Sequence, residues 1–250
     1  MKTIEFLFPE VANLYGDPFN VRYLKQSIEL SEPVTVIETP LTEEPAFVSR
    51  NVDMIYMGSM SERSQEIVIK TLLPYKDRLC ELIAAGTVML FTGNALEVLG
   101  KAIDEKNADG KVTKHVEGLG ITSLLAERNM QNRYNTLFHG TFETGDGNMT
   151  ILGHKAVFSF SFGETEGHEA FRSVKGCGNN KESILEGWRE NNLFATYLLG
   201  PLLVMNPEFT RYLIGKMGIA KPQAAFAEAA KTCFDIRLAE FESESTNYLQ

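Results

Sequence analysis

The chain has 250 residues, with 33 acidic against 24 basic side chains and a formal charge of −9 at pH 7. That balance excludes a nucleic-acid binder, which needs a basic face for phosphates, and no apolar run reaches the ~18 residues of a membrane span. The 44% hydrophobic content suits a globular chain, with length for one large α/β domain or two small ones.

Cys80, Cys177 and Cys233 are odd in number, far apart and without a C-x-x-C. They point to a reducing cytoplasm and to neither a disulfide framework nor a zinc site. The first residues open directly in a strand pattern and do not read as a signal peptide. Ile4–Phe8 predicts a first strand, ended by Pro9. Asp17 and Pro18 predict a helix start, Asp17 as N-cap and Pro18 at the first helical position. Val21, Leu24, Ile28 and Leu30 form its expected buried face. Val34–Ile37 and Met54–Met57 predict strands, the second running into Gly58-Ser59-Met60-Ser61. Gln65–Leu73 predicts a helix interrupted by Pro74, and Tyr75–Ala85 a second helix stopped by Gly86. Thr87–Phe91 is a short apolar run followed by Thr92-Gly93-Asn94, a buried strand and a tight turn. Leu96 and Leu99 lie at helical spacing, so the turn feeds a helix. The first hundred residues therefore predict an α/β fold. It is flavodoxin-like and doubly wound, with a mostly parallel sheet and a site at the C-terminal strand ends.

After Gly118 the pattern turns β-rich. Tyr134–Phe142 alternates, Gly145–Asn148 is a hairpin turn, and Met149–Leu152, Ala156–Phe162, Phe171–Val174 and Phe194–Leu198 read as strands. These are expected mostly to extend the same sheet. Asn206–Met217 predicts a short helix and Lys221–Glu242 a long one carrying Ala225, Ala229, Phe234, Ile236, Leu238 and Phe241. The polar tail Ser243–Gln250 is expected to fray. The expected division is a domain over 1–217, with a C-terminal helix and tail over 218–250 packed on it or extending from it.

A strand, a sharp turn and a helix N-terminus form the geometry by which α/β enzymes present a nucleophile. The residue at the tip of this turn is Gly93, which has no side chain to attack with.

Six strings in order carry a resemblance. They are Asn13-Leu14-Tyr15-Gly16-Asp17; Val52–Gly58 with Ser61-Glu62-Arg63 and Gln65; Thr92–Lys101; Glu117–Ile121 with Asn132-Arg133; Gly176–Asn180 with Glu186-Gly187; and Ala195–Leu203 with Asn206-Pro207. Together they resemble the class I glutamine amidotransferases of the cobyric-acid-synthase type, and within them the glutaminase subunits of lipid II isoglutaminyl synthases. The resemblance implies a Cys thiolate at the elbow that attacks the glutamine amide, and a His that activates it and protonates the leaving ammonia. The Cys position is Gly93 here and the His position is Leu199. The loop that resembles the glycine-rich oxyanion segment reads Gly58-Ser59-Met60, with Met60 expected to crowd the pocket. Asn94 and Ala95 replace two further glycines, and Glu97 a Gln. Losing both nucleophile and base removes nearly all the catalysis such a unit provides. The chain thus reads as an amidotransferase fold without the reaction.

No other residue obviously supplies the chemistry. Cys80 and Cys233 are expected as small core residues. Cys177 is either the same or faces the site, and Thr92 lacks a visible base. His115, His139, His154 and His168 show no metal spacing; His154 and His168 lie where they could reach the cleft. Arg133 either holds a carboxylate by a bidentate pair or is a surface residue. The expected pocket residues are Gly58, Ser59, Met60, Asn94 and Arg133, with no metal and no cofactor. Three roles follow: an inactive family member that binds a glutamine-like molecule or a partner; a divergent ammonia-donating subunit; or a scaffold for a Mur-ligase-like or other synthetase subunit.

Overall fold

A computed structural model of the chain describes residues 1–248. In chain order the first half contains β1 (Lys2–Leu7), α1 (Pro18–Ile28), β2 (Val34–Thr39), α2 (Ala46–Ser49), β3 (Met54–Met57), α3 (Glu62–Leu72), α4 (Lys76–Ala84), β4 (Val88–Thr92) and α5 (Ala95–Leu99). The second half adds β5 (Ala102–Lys106), β6 (Val112–Glu117), β7 (Leu125–Arg128), β8 (Tyr134–Glu143), β9 (Asn148–Val157), β10 (Ser159–Phe162) and β11 (Phe171–Lys175). It continues through β12 (Leu185–Glu186), β13 (Trp188–Glu190), β14 (Leu193–Thr196), α6 (Leu202–Met205), α7 (Pro207–Lys216) and α8 (Ala227–Glu242).

The main sheet has the order β13-β14-β4-β3-β1-β2. All its pairings are parallel except β13 with β14. Every residue of β3, β4 and β14 is buried. That is why these strands read as unbroken apolar runs: helices cover both faces of a parallel sheet. One core cluster lies on the side of Ile55, Met57, Met89 and Phe91, and a second on the side of Tyr56, Leu90, Phe142 and Phe209.

The β-rich half does not extend this sheet, contrary to the expectation from sequence. Only β13 and β14 join it; the other strands form two separate four-stranded sheets, β10-β7-β5-β6 and β12-β11-β8-β9. The predicted strands at Met149–Leu152 and Ala156–Phe162 become the single strand β9 and the short β10. The break falls at Phe158, between Val157 and Ser159.

Other boundaries move for local reasons. The first helix ends at Ile28, leaving Leu30 exposed. The long C-terminal helix starts at Ala227 rather than Lys221, because Phe226 ahead of it is left-handed at φ 55°. Ser243–Tyr248 does not simply fray: the Leu137 N–H donates to the Tyr248 carbonyl at 3.1 Å, and the Tyr248 hydroxyl to the Phe241 carbonyl at 2.6 Å. Leu249 and Gln250 lie outside the described residues. No helix among the described residues is long and apolar enough to cross a membrane.

Candidate functional site

The loops after β3 and β4 meet at the C-terminal edge of the main sheet. Gly93 has φ +61°, the left-handed conformation that a sharp strand-to-helix turn needs. A Cβ built on it would lie 2.6 Å from Ser59 Cβ, 2.7 Å from Ser59 Oγ and 3.0 Å from Leu199 Cδ2. The space for a nucleophilic side chain is therefore already filled by the side chains of Ser59 and Leu199. Leu199 is held there by a backbone bridge to His154, with Leu199 N–H donating at 2.9 Å.

The loop after β3 is tied down on both sides. Ser59 N–H donates to Asp17 Oδ2 at 2.6 Å, and Met60 N–H to Asn94 Oδ1 at 2.9 Å. Asn94 Nδ2 returns a bond to the Met60 carbonyl at 2.8 Å, so its amide clamps the Met60 peptide from two directions. The Ser59 and Met60 N–H groups of this loop are thus both taken up by the protein itself. Gly58 sits behind the loop, where a Cβ would meet the Ala12 carbonyl at 2.6 Å and Asp17 Cβ at 2.9 Å.

Of the predicted pocket residues, Ser59, Met60, Asn94 and Arg133 line one small cavity of about 130 Å³ together with Gly93 and Leu199. Gly58 does not line it. Met60 is buried and belongs to the main core cluster, so it narrows the cavity from the core side. Arg133 is exposed. Its guanidinium bonds the Tyr15 hydroxyl and stands 5.6 Å from the Tyr15 ring centre and 5.7 Å from that of Phe158. That stacking, with no carboxylate partner among the described residues, is the arrangement found for Arg133.

No His or Cys lines the cavity. His115 pairs with Asp104 at 2.6 Å, and His168 stacks on Trp188 with ring centres 4.4 Å apart. Cys80 and Cys233, expected in the core, are exposed, while Cys177 is buried. Leu79 and Ile83 take the inward face of α4, which turns the neighbouring Cys80 outward. No group of three or more His, Cys, Asp or Glu among the described residues is placed to hold a metal ion.

Asp17 stands at the N-cap position of α1 with Pro18 first in the helix, as expected, but its side chain makes no capping bond. Its carboxylate reaches inward, accepting from Ser59 N–H, from Thr92 Oγ1 at 2.9 Å and from Asn20 Nδ2 at 3.3 Å. Burial raises its pKa to about 6, against the pull of the Ser59 and Thr92 bonds. Thr92, whose hydroxyl also meets that of Tyr56 at 3.0 Å, is fully committed to this cluster.

A second buried cluster escaped the sequence reading. Arg128, 1% exposed, bonds Gln65 Oε1 and places Nη2 2.9 Å from Glu97 Oε2. Gln65 Nε2 donates to Glu97 Oε2 at 3.0 Å and to the Asn94 carbonyl at 2.6 Å. The Tyr197 hydroxyl donates to Glu97 Oε1 at 3.2 Å. Burial, then the Glu97 charge, pushes the Tyr197 phenol well up. One signal for this cluster was available: α5 reads Ala-Leu-Glu-Val-Leu, a helix with no polar face for Glu97 to occupy.

The architecture is that of glutamine amidotransferase folds. PurLQS from Thermotoga maritima superimposes with a TM-score of 0.54 at 9% identity, over 95% of this chain and 99% of that one. A solved glutamine amidotransferase gives 0.52 at 15% identity, over 86% of this chain and 99% of that one. The family follows from sequence. Residues 3–207 match the CobB/CobQ-like glutamine amidotransferase domain, and the chain belongs to that family. It is similar to the GatD subunit of lipid II isoglutaminyl synthase (glutamine-hydrolyzing) from Staphylococcus aureus (strain N315). The identity is 34% over 218 residues, 86% of this chain and 83% of that protein. The GatD subunit from Streptococcus pneumoniae (strain ATCC BAA-255 / R6) is 26% identical over 212 residues, 84% and 78%.

Proposed function

We propose that this chain is an amidotransferase-family subunit that hydrolyses no glutamine and acts as a binding partner of an amidating synthetase. Residues 1–217 form the amidotransferase-type domain in this reading, and 218–250 an appended helix and tail. The observation that carries it is the filled space at Gly93, where Ser59 and Leu199 stand in place of a nucleophile's side chain. Amide hydrolysis by this route needs a thiolate, a base and free donors for the tetrahedral oxyanion. The cavity offers none of the first two, and the Ser59 and Met60 N–H groups already have acceptors. Ser59 brings a hydroxyl to the elbow, 2.7 Å from where a Gly93 Cβ would lie. The partner found for it is Asn94 Oδ1 at 3.4 Å, which cannot take a proton as a base. The similarity to subunits of a lipid II amidating enzyme supports a synthetase, Mur-ligase-like in the earlier resemblance, as the partner class.

Purified chain incubated with glutamine is expected to release no ammonia above background. Turnover that survives repurification and is lost in Ser59→Ala would overturn the inactive reading. A tagged chain recovered from its native host is expected to bring down a ligase-type subunit; recovery as a lone monomer would overturn the partner reading.

A further inference from the structure

The main sheet ends on one side at β2, which reads Val-Thr-Val-Ile-Glu-Thr. Lys2 N–H donates to the Pro33 carbonyl at 2.9 Å and Phe8 N–H to the Thr39 carbonyl at 2.7 Å. The odd-numbered residues of this strand therefore turn their backbone groups toward β1. By alternation the N–H and C=O of Val34, Val36 and Glu38 point the other way, off the sheet. These groups have no hydrogen-bond partner among the described residues. Val34 and Val36 are half-buried at the margin of the core cluster that holds Tyr56 and Leu90, while Thr35 and Glu38 are exposed.

The other sheet edges are short, covered or guarded. β12 has two residues and β13 three. On β10 the Ser161 N–H donates to the Asn179 carbonyl at 2.9 Å, and the Ser161 carbonyl accepts from Asn180 Nδ2 at 3.0 Å. On β9 the Asn206 side-chain amide bonds the Leu152 N–H and carbonyl at 2.9 and 2.7 Å, and Leu199 bridges His154. β6 exposes Lys114 mid-strand, the residue that keeps free edges from pairing. β2 contains no Lys, no Pro and no bulge.

We propose that β2 pairs antiparallel with β2 of a second copy of this chain, about a two-fold axis through Val36, so that two main sheets join edge to edge. Such a ladder forms only where outward residues stand opposite outward residues, because only they have free donors and acceptors. With Val36 opposite Val36 of the second copy, Val34 and Glu38 of each chain face Glu38 and Val34 of the other. Every outward group is then paired. Slipping the register either way takes one of the three residues out of the ladder. Between these pairs Thr35 and Ile37 of the two copies face each other, β-branched side chains that suit a strand. Glu38 is the only charged residue of β2, and in this register it meets Val34 and not a second carboxylate. This self-matching selects a second copy as the occupant over another extended chain. The elbow cavity takes no residue from β2, so the contact leaves it open, and the inference is independent of the functional reading.

Sedimentation velocity of the full chain tests it, over loadings from about 1 to 100 μM. Salt at about 0.5 M screens the repulsion between two chains of charge −9. The mass is expected to rise with loading from 27.9 kDa toward twice that value. A mass of 27.9 kDa throughout overturns the dimer. Amide exchange at Val34, Val36 and Glu38 is expected to slow about tenfold or more between the lowest and highest loading, with β6 unchanged. Slowing at another edge instead, or at β2 only when a different subunit is added, overturns the second copy as occupant of β2. Val36→Pro and Glu38→Pro each remove a donor that β1 does not use, which an edge strand tolerates. Each is expected to weaken the dimer about tenfold or more, while urea unfolding at low loading, followed by Trp188 fluorescence, keeps the parent's midpoint. Folded variants that dimerise as tightly as the parent overturn the pairing, and Glu38→Pro serves alone if Val36→Pro does not fold.

Discussion

Gly93→Cys places at the elbow the thiol that the resemblance expects there, and the structure gives the cost. The position is left-handed at φ +61°, which for an L side chain costs about 1–2 kcal/mol. The new Cβ would also start 2.6 Å from Ser59 Cβ and 3.0 Å from Leu199 Cδ2, overpacking of the kind that costs about 1–3 kcal/mol. The variant should therefore lose about 2–5 kcal/mol in all. Ser59→Gly in the same background removes the colliding atoms and should return the packing part, about 1–3 kcal/mol. Trp188 is the only tryptophan and is 5% exposed, so urea unfolding followed by its fluorescence reads both effects. Adding Leu199→His should still give no ammonia until Ser59 is cut back, because the thiol has no room to stand. A Gly93→Cys protein within about 0.5 kcal/mol of the parent, or one that Ser59→Gly does not rescue, refutes the filled site.

Glu97→Ala should cost about 3–5 kcal/mol by stranding the buried Arg128 charge. Glu97→Leu/Arg128→Met should lie closer to the parent, and a double-mutant cycle in urea separates the two. Asp17→Asn should change the pH profile of stability. The folded Asp17 pKa of about 6 exceeds the ordinary 3.8, so its contribution is present below pH 3.8 and lost as pH rises through 6. That gap is worth about 3 kcal/mol, at about 1.4 kcal/mol per pH unit. The difference between parent and variant, measured by urea unfolding from pH 4 to 8, should trace that loss; a flat difference sinks the assignment. Asn94→Ala should cost about 1–3 kcal/mol by unpairing the Met60 peptide, and should speed amide exchange at Ser59–Ser61.

The main sheet was legible because its strands are buried on both faces and its helices carry clear apolar stripes. The elbow was legible for the same reason, and the paired positions Gly93 and Leu199 through the resemblance of their flanking strings. The separate sheets were not. β5 and β6 read Ala-Ile-Asp-Glu-Lys and Val-Thr-Lys-His-Val-Glu, charged strings that give no buried alternation because most of their side chains are exposed or half-exposed. Periodicity names the faces of a strand but not its partner, so β8 and β9 gave no sign of forming a sheet of their own. Asp17 was legible in part. Local spacing places it rightly at the N-cap of α1, whereas its carboxylate serves the Ser59 N–H, 42 residues away.

Two buried polar clusters, around Glu97 and Glu186, hold the scaffold together. Glu97 joins α5 to α3 through Gln65, to the β5–β7 sheet through Arg128, and to the end of β14 through Tyr197. Glu186, on the β8–β11 sheet, accepts from Thr196 Oγ1 at 2.7 Å and from Tyr197 N–H at 2.9 Å, and pairs with buried Lys155 at 3.4 Å. These bonds bind three sheets into one body, and breaking any of them leaves a buried charge or polar group without a partner. The side chains of Ser59 and Leu199 beside Gly93 make no such joint between sheets: they fill the elbow with atoms that pack. A change at the elbow that fits sterically therefore leaves the fold intact, whereas a change at Glu97, Arg128 or Glu186 would not. Glu97, where the resemblance expects a Gln, is itself one of these joints, and its polar partners on α3, β7 and Tyr197 are all in place.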